Sequence, residues 1–192
     1  SIDCSVFPSI SVVKDGIPSH PMRLYAGEQV CNNGKCNQLV ICVSDFVPPV
    51  SATKDLVDSI LGWAKEKGCT SFIVGEGFSA PQKEDGSKSV VYGISSTEAS
   101  KEWVSKAQVT PFEFGTIGGF TGVLLNQGRL RSVNVLGLLA EVEEDAVDSY
   151  KYLLRECVQK DRGFSIPGCP VGCDFDVHDD YSLGKFEKAY DI

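Results

Sequence analysis

The chain has 192 residues, 42% of them hydrophobic and 23% charged, which is enough to bury the core of one globular domain. Its 18 Lys and Arg stand against 26 Asp and Glu, and this net charge of −8 argues against a nucleic-acid partner and against docking to an anionic membrane. No apolar run reaches the roughly 20 residues of a membrane span.

The first part of the chain predicts extended segments. Ser9–Lys14 reads as an edge strand that ends in a tight turn, and Arg23–Val30 follows as a second strand. Asn33-Gly34 is a strong hairpin signal. The continuous apolar run Gln38–Val43 predicts a strand that is covered on both faces.

An amphipathic helix is expected next, capped by Ser51 and stopped by Gly68. Its apolar stripe at i, i+3, i+4 and i+7 consists of Val57, Ile60, Leu61 and Ala64. Strands are predicted at Phe72–Val74 and Val90–Ile94, with an exposed loop at Ser79–Lys88 between them.

The second half continues the alternation of strands and helices. Ser95 and Glu98 have the spacing of a capping box, and the helix after them carries Trp103 and Ala107 on one side. The later elements are a strand at Pro111–Phe114, a helix at Gly115–Gln127, a strand at Val133–Ala140 and a helix from Asp145. This order predicts a three-layer α/β/α domain over residues 1–160 with a mostly parallel sheet.

Residues 161–192 differ in character, because Gly, Pro and Asp dominate there and no periodicity remains. We expect an irregular, acidic C-terminal arm.

The cysteines favour a reducing, cytoplasmic setting. Cys42 lies in an apolar run and Cys157 on the apolar side of the last helix, so both are expected to be small buried hydrophobes. Cys31 with Cys36, and Cys169 with Cys173, leave a disulfide or a zinc site open. Neither spacing is that of a zinc knuckle and no histidine is near, so we expect no metal.

Three carboxylates follow apolar strands directly: Asp45, Glu76 and Glu141. Carboxyl ends of parallel strands meet at one edge of a sheet, where ligands usually bind, so these acids are candidate ligand-binding residues. The alternative is that strand-to-loop junctions are simply polar.

Glycines before the third helix offer a second candidate site. Gly115, Gly118, Gly119 and Gly122 would expose backbone N–H groups to an anion at the helix N-terminus. Their spacing fits neither the dinucleotide fingerprint nor a phosphate-binding P-loop, so no cofactor is implied. The alternative is close packing of the strand–helix junction.

The segment Gly115–Arg131, the strand Val135–Glu141 and the upstream Val91–Ser95 resemble the proteasome assembly chaperone 2 family, in its archaeal and bacterial branch. This resemblance implies a three-layer α/β/α domain related to the purine-nucleoside phosphorylase-like fold. It further implies self-association and contacts with proteasome α-subunits. Fold kinship with phosphorylases does not transfer their activity.

The chain departs from that family at both ends. Members open with a strand, a Gly-Asn-containing turn and a helix, and the absence of a match here predicts that the first strand–helix unit is missing. Some archaeal members end in a hydrophobic residue, tyrosine and any residue, a tail that inserts between α-subunits. Here Ala189-Tyr190-Asp191-Ile192 has tyrosine one place early, which makes Tyr190 and Ile192 candidate partner-binding residues in a shifted register.

The sequence thus predicts a non-enzymatic, self-associating adaptor with protein partners. Two alternatives stay open, both of which use the carboxylates at the sheet edge. One is a nucleoside or phosphosugar hydrolase or phosphorylase, and the other is a module that senses a small ligand.

Overall fold

The computed structural model describes residues 7–32, 35–79, 90–142 and 188–190. These contain three helices and eleven short or medium strands. In chain order they are β1 Val12–Lys14, β2 Ile17–Ser19, β3 Met22–Ala26, β4 Val30–Asn32, β5 Lys35–Asn37, β6 Val40–Ser44, α1 Val50–Glu66, β7 Ser71–Ser79, β8 Val91–Ser95, α2 Glu98–Lys106, β9 Thr110–Pro111, α3 Gly119–Arg131, β10 Asn134–Val142 and β11 Lys188–Tyr190.

The main sheet has four strands in the order β7-β10-β8-β9. β10 runs parallel to β7 and antiparallel to β8, and β8 runs parallel to β9. The predicted sheet of mostly parallel strands is therefore confirmed. Its one antiparallel pair is β8 with β10.

Helices cover both faces of this sheet, as the alternation of elements predicted. Side chains of β10 alternate between the faces. Leu136 and Leu138 pack on α2 through Trp103. Val135, on the other face, packs on α1 and α3 through Leu61 and Leu124. The domain is thus a helix–sheet–helix sandwich whose central strand is β10.

The predicted stripe of α1 is the face that it buries. Val57 and Ala64 are almost wholly inaccessible, and Gly68 ends the helix in a left-handed conformation. The predicted cap is wrong, because Pro49 occupies the N-cap and no side chain caps the helix. Proline already fixes the backbone torsion there, and the hydroxyl of Thr53 donates to the Pro49 carbonyl oxygen.

The predicted capping box before α2 is displaced by two residues. Thr97, not Ser95, is the N-cap, and it exchanges hydrogen bonds with Ser100, not with Glu98. Ser95 is the last residue of β8, and Ser96 ties that strand to β10 through the Val135 amide. Ser95, which the sequence assigned to the helix cap, therefore belongs to β8 and is paired in the sheet.

The strands before α1 form separate antiparallel units. β3 pairs with β6 and β11 in a three-stranded sheet, and β1–β2 and β4–β5 are two hairpins. The hairpin predicted at Asn33-Gly34 is confirmed by the pairing of Asn32 with Lys35. β6 is wrongly predicted to be covered on both faces, since its side chains are half-buried or exposed. Cys42 on this strand is exposed.

Several other boundaries differ from the prediction. The strand predicted at Arg23–Val30 is divided, because β3 ends at Ala26 and Val30 begins β4 in a separate hairpin. The strand predicted at Phe72–Val74 is longer, since β7 spans Ser71–Ser79. β9 ends at Pro111 instead of Phe114, and α3 begins at Gly119 instead of Gly115. The predicted helix from Asp145, Cys157, Cys169 and Cys173 and most of the C-terminal arm lie outside the described residues.

Candidate functional site

The carboxyl ends of β7 and β10 carry polar and aromatic side chains on the face that α1 and α3 cover. Glu76 pairs with Leu139 and Phe78 with Glu141 in the parallel ladder. Tyr92 pairs with Leu139 from the other side. Paired residues and residues two apart share a face, so Glu76, Phe78, Tyr92 and Glu141 lie on one side of the sheet. We call this group the strand-end cluster.

Glu141 in the strand-end cluster is firmly held by hydrogen bonds. Its Oε2 accepts from the Val90 amide at 3.0 Å, and its Oε1 accepts from the Tyr92 hydroxyl at 3.0 Å. The Val90 carbonyl in turn accepts from the Glu141 amide. Glu141 thereby fastens the start of β8 to the end of β10, which is a structural task.

Glu76 has a different environment at the N-terminus of α3. Its Oε1 lies 3.6 Å from the point where a Cβ on Gly119 would stand. Its Oε2 is buried and has no hydrogen-bond donor among the described residues. Within the described part of the chain, Glu76 is therefore the predicted acid that has a buried carboxylate oxygen, Oε2, without a hydrogen-bond partner.

Aromatic rings extend the cluster towards the edge of the sheet. The Phe78 and Tyr92 ring centroids are 6.0 Å apart, and the Tyr92 and Phe112 centroids are 6.1 Å apart in an edge-to-face contact. A shallow, open pocket of about 230 Å³ lies next to Phe112. Its walls come from β8, the loop before α3 and α3 itself, and include Ile94, Phe112, Phe114, Ile117 and Leu125.

The glycine segment is shaped by close packing. A Cβ on Gly115 would lie 2.5 Å from the Phe112 ring, and one on Gly122 would lie 2.1 Å from the Ile117 carbonyl oxygen. Gly119 has a φ of +59°, which disfavours other residues. Gly118, the N-cap of α3, faces open space. Gly115 and Gly122 let the loop fold against the first turn of α3, while Gly118 and Gly119 leave that turn approachable.

Asp45 lies apart from the other two carboxylates. It follows β6 in the three-stranded sheet, so the expectation that all three acids meet at the edge of one sheet is wrong for Asp45. Glu76 and Glu141 lie within β7 and β10, where the sequence placed them directly after the strands. Its Oδ2 accepts from the Arg23 guanidinium at 2.6 Å, and Arg23 also donates to the Tyr25 hydroxyl at 2.8 Å. Burial works to lower the pKa of Arg23, but the hydrogen bonds with Tyr25 and Asp45 outweigh it and raise that pKa.

Of the two predicted partner-binding residues in the tail, one is described. Tyr190 belongs to β11 and pairs with Leu24 of β3, while Ile192 lies outside the described residues. Register places Cys31 opposite Cys36 in the β4–β5 hairpin. In the described part of the chain no three His, Cys, Asp or Glu residues are grouped to hold a metal ion.

Sequence reasoning missed an exposed aromatic residue beside the pocket. Phe114 is 99% exposed, although the sequence predicted it as the end of a short strand. Its neighbours Glu113 and Gly115 are exposed as well. A charged residue and a glycine on either side of Phe114 indicate a loop, and this was the signal in the sequence that could have identified it. A pocket lined in part by apolar side chains, with an exposed phenylalanine on its rim, is suited to contact with another protein surface.

The chain matches one protein-family model over residues 1–159, that of the PAC2 family. This match spans most of the chain and contains the three helices and the main sheet of the described residues. The chain belongs to the PAC2 family.

Solved structures share its fold. A Pyrococcus furiosus PbaA structure, described as an archaeal homolog of proteasome-assembly chaperone, is 21% identical with a TM-score of 0.60, over 78% of this chain and 60% of PbaA. P. furiosus PbaB, described as an archaeal proteasome activator, is 21% identical with a TM-score of 0.62, over 82% of this chain and 69% of PbaB. A PAC2 family protein from Streptomyces avermitilis is 17% identical with a TM-score of 0.54, over 71% of this chain and 56% of that protein.

Among curated proteins, a DNA polymerase of Escherichia phage T5 shares 47% identity over 57 residues. The match covers 28% of this chain and 7% of the polymerase, so the similarity concerns a short segment of a much longer protein. No helix in the described ranges is long and apolar enough to cross a membrane.

Proposed function

We propose that this PAC2 family chain is a non-enzymatic, chaperone-like adaptor that self-associates and contacts proteasome α-subunits in the cytoplasm. The observation that carries the proposal is the family match over residues 1–159. The likeness of the fold to PbaA and PbaB, whose descriptions name proteasome assembly and activation, supports it.

The pocket beside Phe114 is the surface that we assign to self-association. Phe114 projects from the loop before α3, and the pocket walls next to it are formed by Phe112, Ile117 and Leu125. A two-fold interface places the same patch of each copy against the other, and this patch combines a projecting ring with a recess that is partly lined by apolar side chains. Burying the ring in a second copy would remove a large apolar surface from water.

Native mass spectrometry and binding to purified proteasome α-subunits test the proposal. We expect an oligomer that binds α-subunits, and a shift towards the monomer in Phe114→Ser. Leu130→Ser is the matched control, because Leu130 is also exposed, at 70%, but lies at the far end of α3. A strict monomer that also fails to bind α-subunits would refute the proposed function. Equal oligomerisation of both variants would refute only the assignment of the surface.

Small-ligand binding is a second candidate function, favoured by the buried and unpartnered Oε2 of Glu76. A ligand that binds only the folded chain must raise its melting temperature. A thermal-shift screen of nucleosides and phosphates on the wild type and Glu76→Gln tests this candidate. It predicts a shift in the wild type that Glu76→Gln abolishes, and no shift with any compound would refute it.

A further inference from the structure

The outer edge of β3 is covered by a segment from the other end of the chain. β3 pairs with β6 along one edge, and on its other edge Leu24, Tyr25 and Ala26 pair antiparallel with Tyr190, Ala189 and Lys188. In the described part of the chain, β11 makes its main contact with β3. The C-terminal segment is thus held by strand addition.

β3 offers a rigid edge for such a strand. The β3–β6 ladder is prolonged at both ends, since the Asp45 amide donates to the Pro21 carbonyl and the Gly27 amide donates to the Leu39 carbonyl. Leu24 is only 2% exposed, so the middle of the strand is anchored in the fold. Because this edge is already ordered, a segment that binds to it does not have to offset the entropy cost of ordering it. This favours binding.

β3 also lacks the usual protection of an exposed edge. Natural edge strands carry free charges, prolines or bulges that block the addition of another strand. Arg23 is the single charged residue of β3, and its guanidinium is engaged by Asp45, Tyr25 and the His20 carbonyl. Without β11, this edge would present unpaired backbone groups and no free charge.

We propose that the outer edge of β3 is a strand-acceptor site that Lys188–Tyr190 of the same chain covers, and that the C-terminal segment of a second copy occupies the same site by exchange. A ladder of three residues is short, and residues 143–187 connect it to β10. Pairing with the tail of the same chain is intramolecular, so a high effective concentration favours it over an equally short ladder with a free segment. A second copy competes when the self-association proposed above, on which this step rests, raises the local concentration of its tail.

Amide hydrogen exchange of the full-length chain, followed residue by residue by NMR, tests this site. In a β-strand, alternate residues direct their N–H groups to opposite edges, so β3 has one set of amides facing β6 and another facing β11. We expect both sets to be protected in the wild type. Lys188→Pro combined with Ala189→Pro removes the donors of two consecutive tail residues. One of these two residues donates its amide hydrogen to β3, so the double substitution removes that bond and releases β11. Release of an edge strand is a local opening, and the exchange rate of the β3 amides that face β11 should therefore rise at least about tenfold.

The exchange of the tail is tested by adding a peptide of residues 183–192. We expect the peptide, at about 1–2 mM, to restore protection of the same amides in the proline variant and to act more weakly on the wild type, whose own tail competes within the chain. A peptide that carries the two prolines should have no effect. Lys188→Ala combined with Ala189→Ser keeps the backbone donors and is the matched control, which should behave as the wild type.

Two results would overturn the inference. One is rapid exchange of the amides facing β11 in the wild type, because the site would then be empty. The other is a failure of the peptide to protect them in the proline variant. Should that variant unfold, a chain ending at residue 187 receives the same peptide, and the same two outcomes apply.

Discussion

Gly122 in the first turn of α3 packs directly against the backbone carbonyl of Ile117. A Cβ at position 122 would lie 2.1 Å from that oxygen, a separation that real Cβ atoms do not adopt. Because the obstacle is backbone and not the end of a flexible side chain, it cannot move aside without displacing the loop. The contact therefore fixes how the loop of residues 112–118 joins the helix, and with it the pocket beside Phe114.

Gly122→Ala is expected to destabilise the fold by about 2–3 kcal/mol, the upper range for overpacking a tight contact. Gly62→Ala is the matched control, since Gly62 also lies inside a helix but a Cβ there would meet nothing within 4 Å. Alanine has the better helix propensity, so Gly62→Ala should stabilise by about 0.5–1 kcal/mol. Urea denaturation of both variants measures the two effects, and a neutral Gly122→Ala would contradict the packing that we describe.

The sequence predicted the architecture well where hydrophobic periodicity is strong. The stripe of α1 and the apolar run of β10 are long, regular and buried, and they fix which faces meet. Local signals performed less well. Ser51 and Ser95 have good capping chemistry, but Pro49 and the pairing of β8 determine where the helices begin. Such competition between elements is decided by tertiary contacts that a sequence window does not contain.

The candidate site was only partly predictable for a related reason. The three acids were chosen because each follows an apolar run in the sequence. Such a run predicts a strand, but it does not reveal which sheet that strand joins. β6 joins β3, so Asp45 meets Arg23, whereas Glu76 and Glu141 share a face of the main sheet. The bonds of Glu141 depend on Tyr92 and Val90, some 50 positions away in the chain. Phe114 was missed because the short strand before it ends earlier than its composition indicates.

The ion pair of Arg23 and Asp45 should contribute more to stability than the pairs on helix surfaces. Arg23 is 13% exposed and has three acceptors, whereas the Lys106–Glu102 pair on α2 is largely exposed at both ends. Asp45 itself is 36% exposed, but removing its charge leaves the largely covered guanidinium of Arg23 without its counter-charge. We expect Asp45→Asn to lower the free energy of unfolding by about 1–2 kcal/mol, and Glu102→Gln by less than about 0.5 kcal/mol.

Denaturation of the two variants in parallel tests this prediction. Equal stability of Asp45→Asn and Glu102→Gln would mean that the Arg23–Asp45 contact has no structural weight. Asp45 would then be available for the ligand-binding role that its position after β6 first indicated.

Tyr92→Phe isolates the hydrogen bond between Tyr92 and Glu141. The substitution removes one hydroxyl and keeps the ring that contacts Phe78 and Phe112. A hydrogen bond to a charged acceptor contributes about 1.5–3 kcal/mol, so a loss in that range is expected by thermal or urea denaturation. Tyr25→Phe serves as a comparison, since its hydroxyl accepts from Arg23 in the other sheet. A Tyr92→Phe chain as stable as the wild type would show that the Tyr92–Glu141 hydrogen bond does not stabilise the fold, and would leave only the Val90 contacts to support a structural role of Glu141.

The thiols of Cys42 and Cys69 should react slowly with iodoacetamide. Desolvation raises the pKa of both thiols, even though Cys42 is exposed as a residue. A raised pKa leaves less thiolate at pH 8, and the thiolate is the nucleophile. Alkylation of these two residues should therefore be slower in the folded chain than in urea, and the difference should shrink as the pH rises through the folded-state pKa. Peptide mapping by mass spectrometry measures each cysteine separately. Equal rates in the folded and unfolded chain at pH 8 would contradict the desolvation of these thiols.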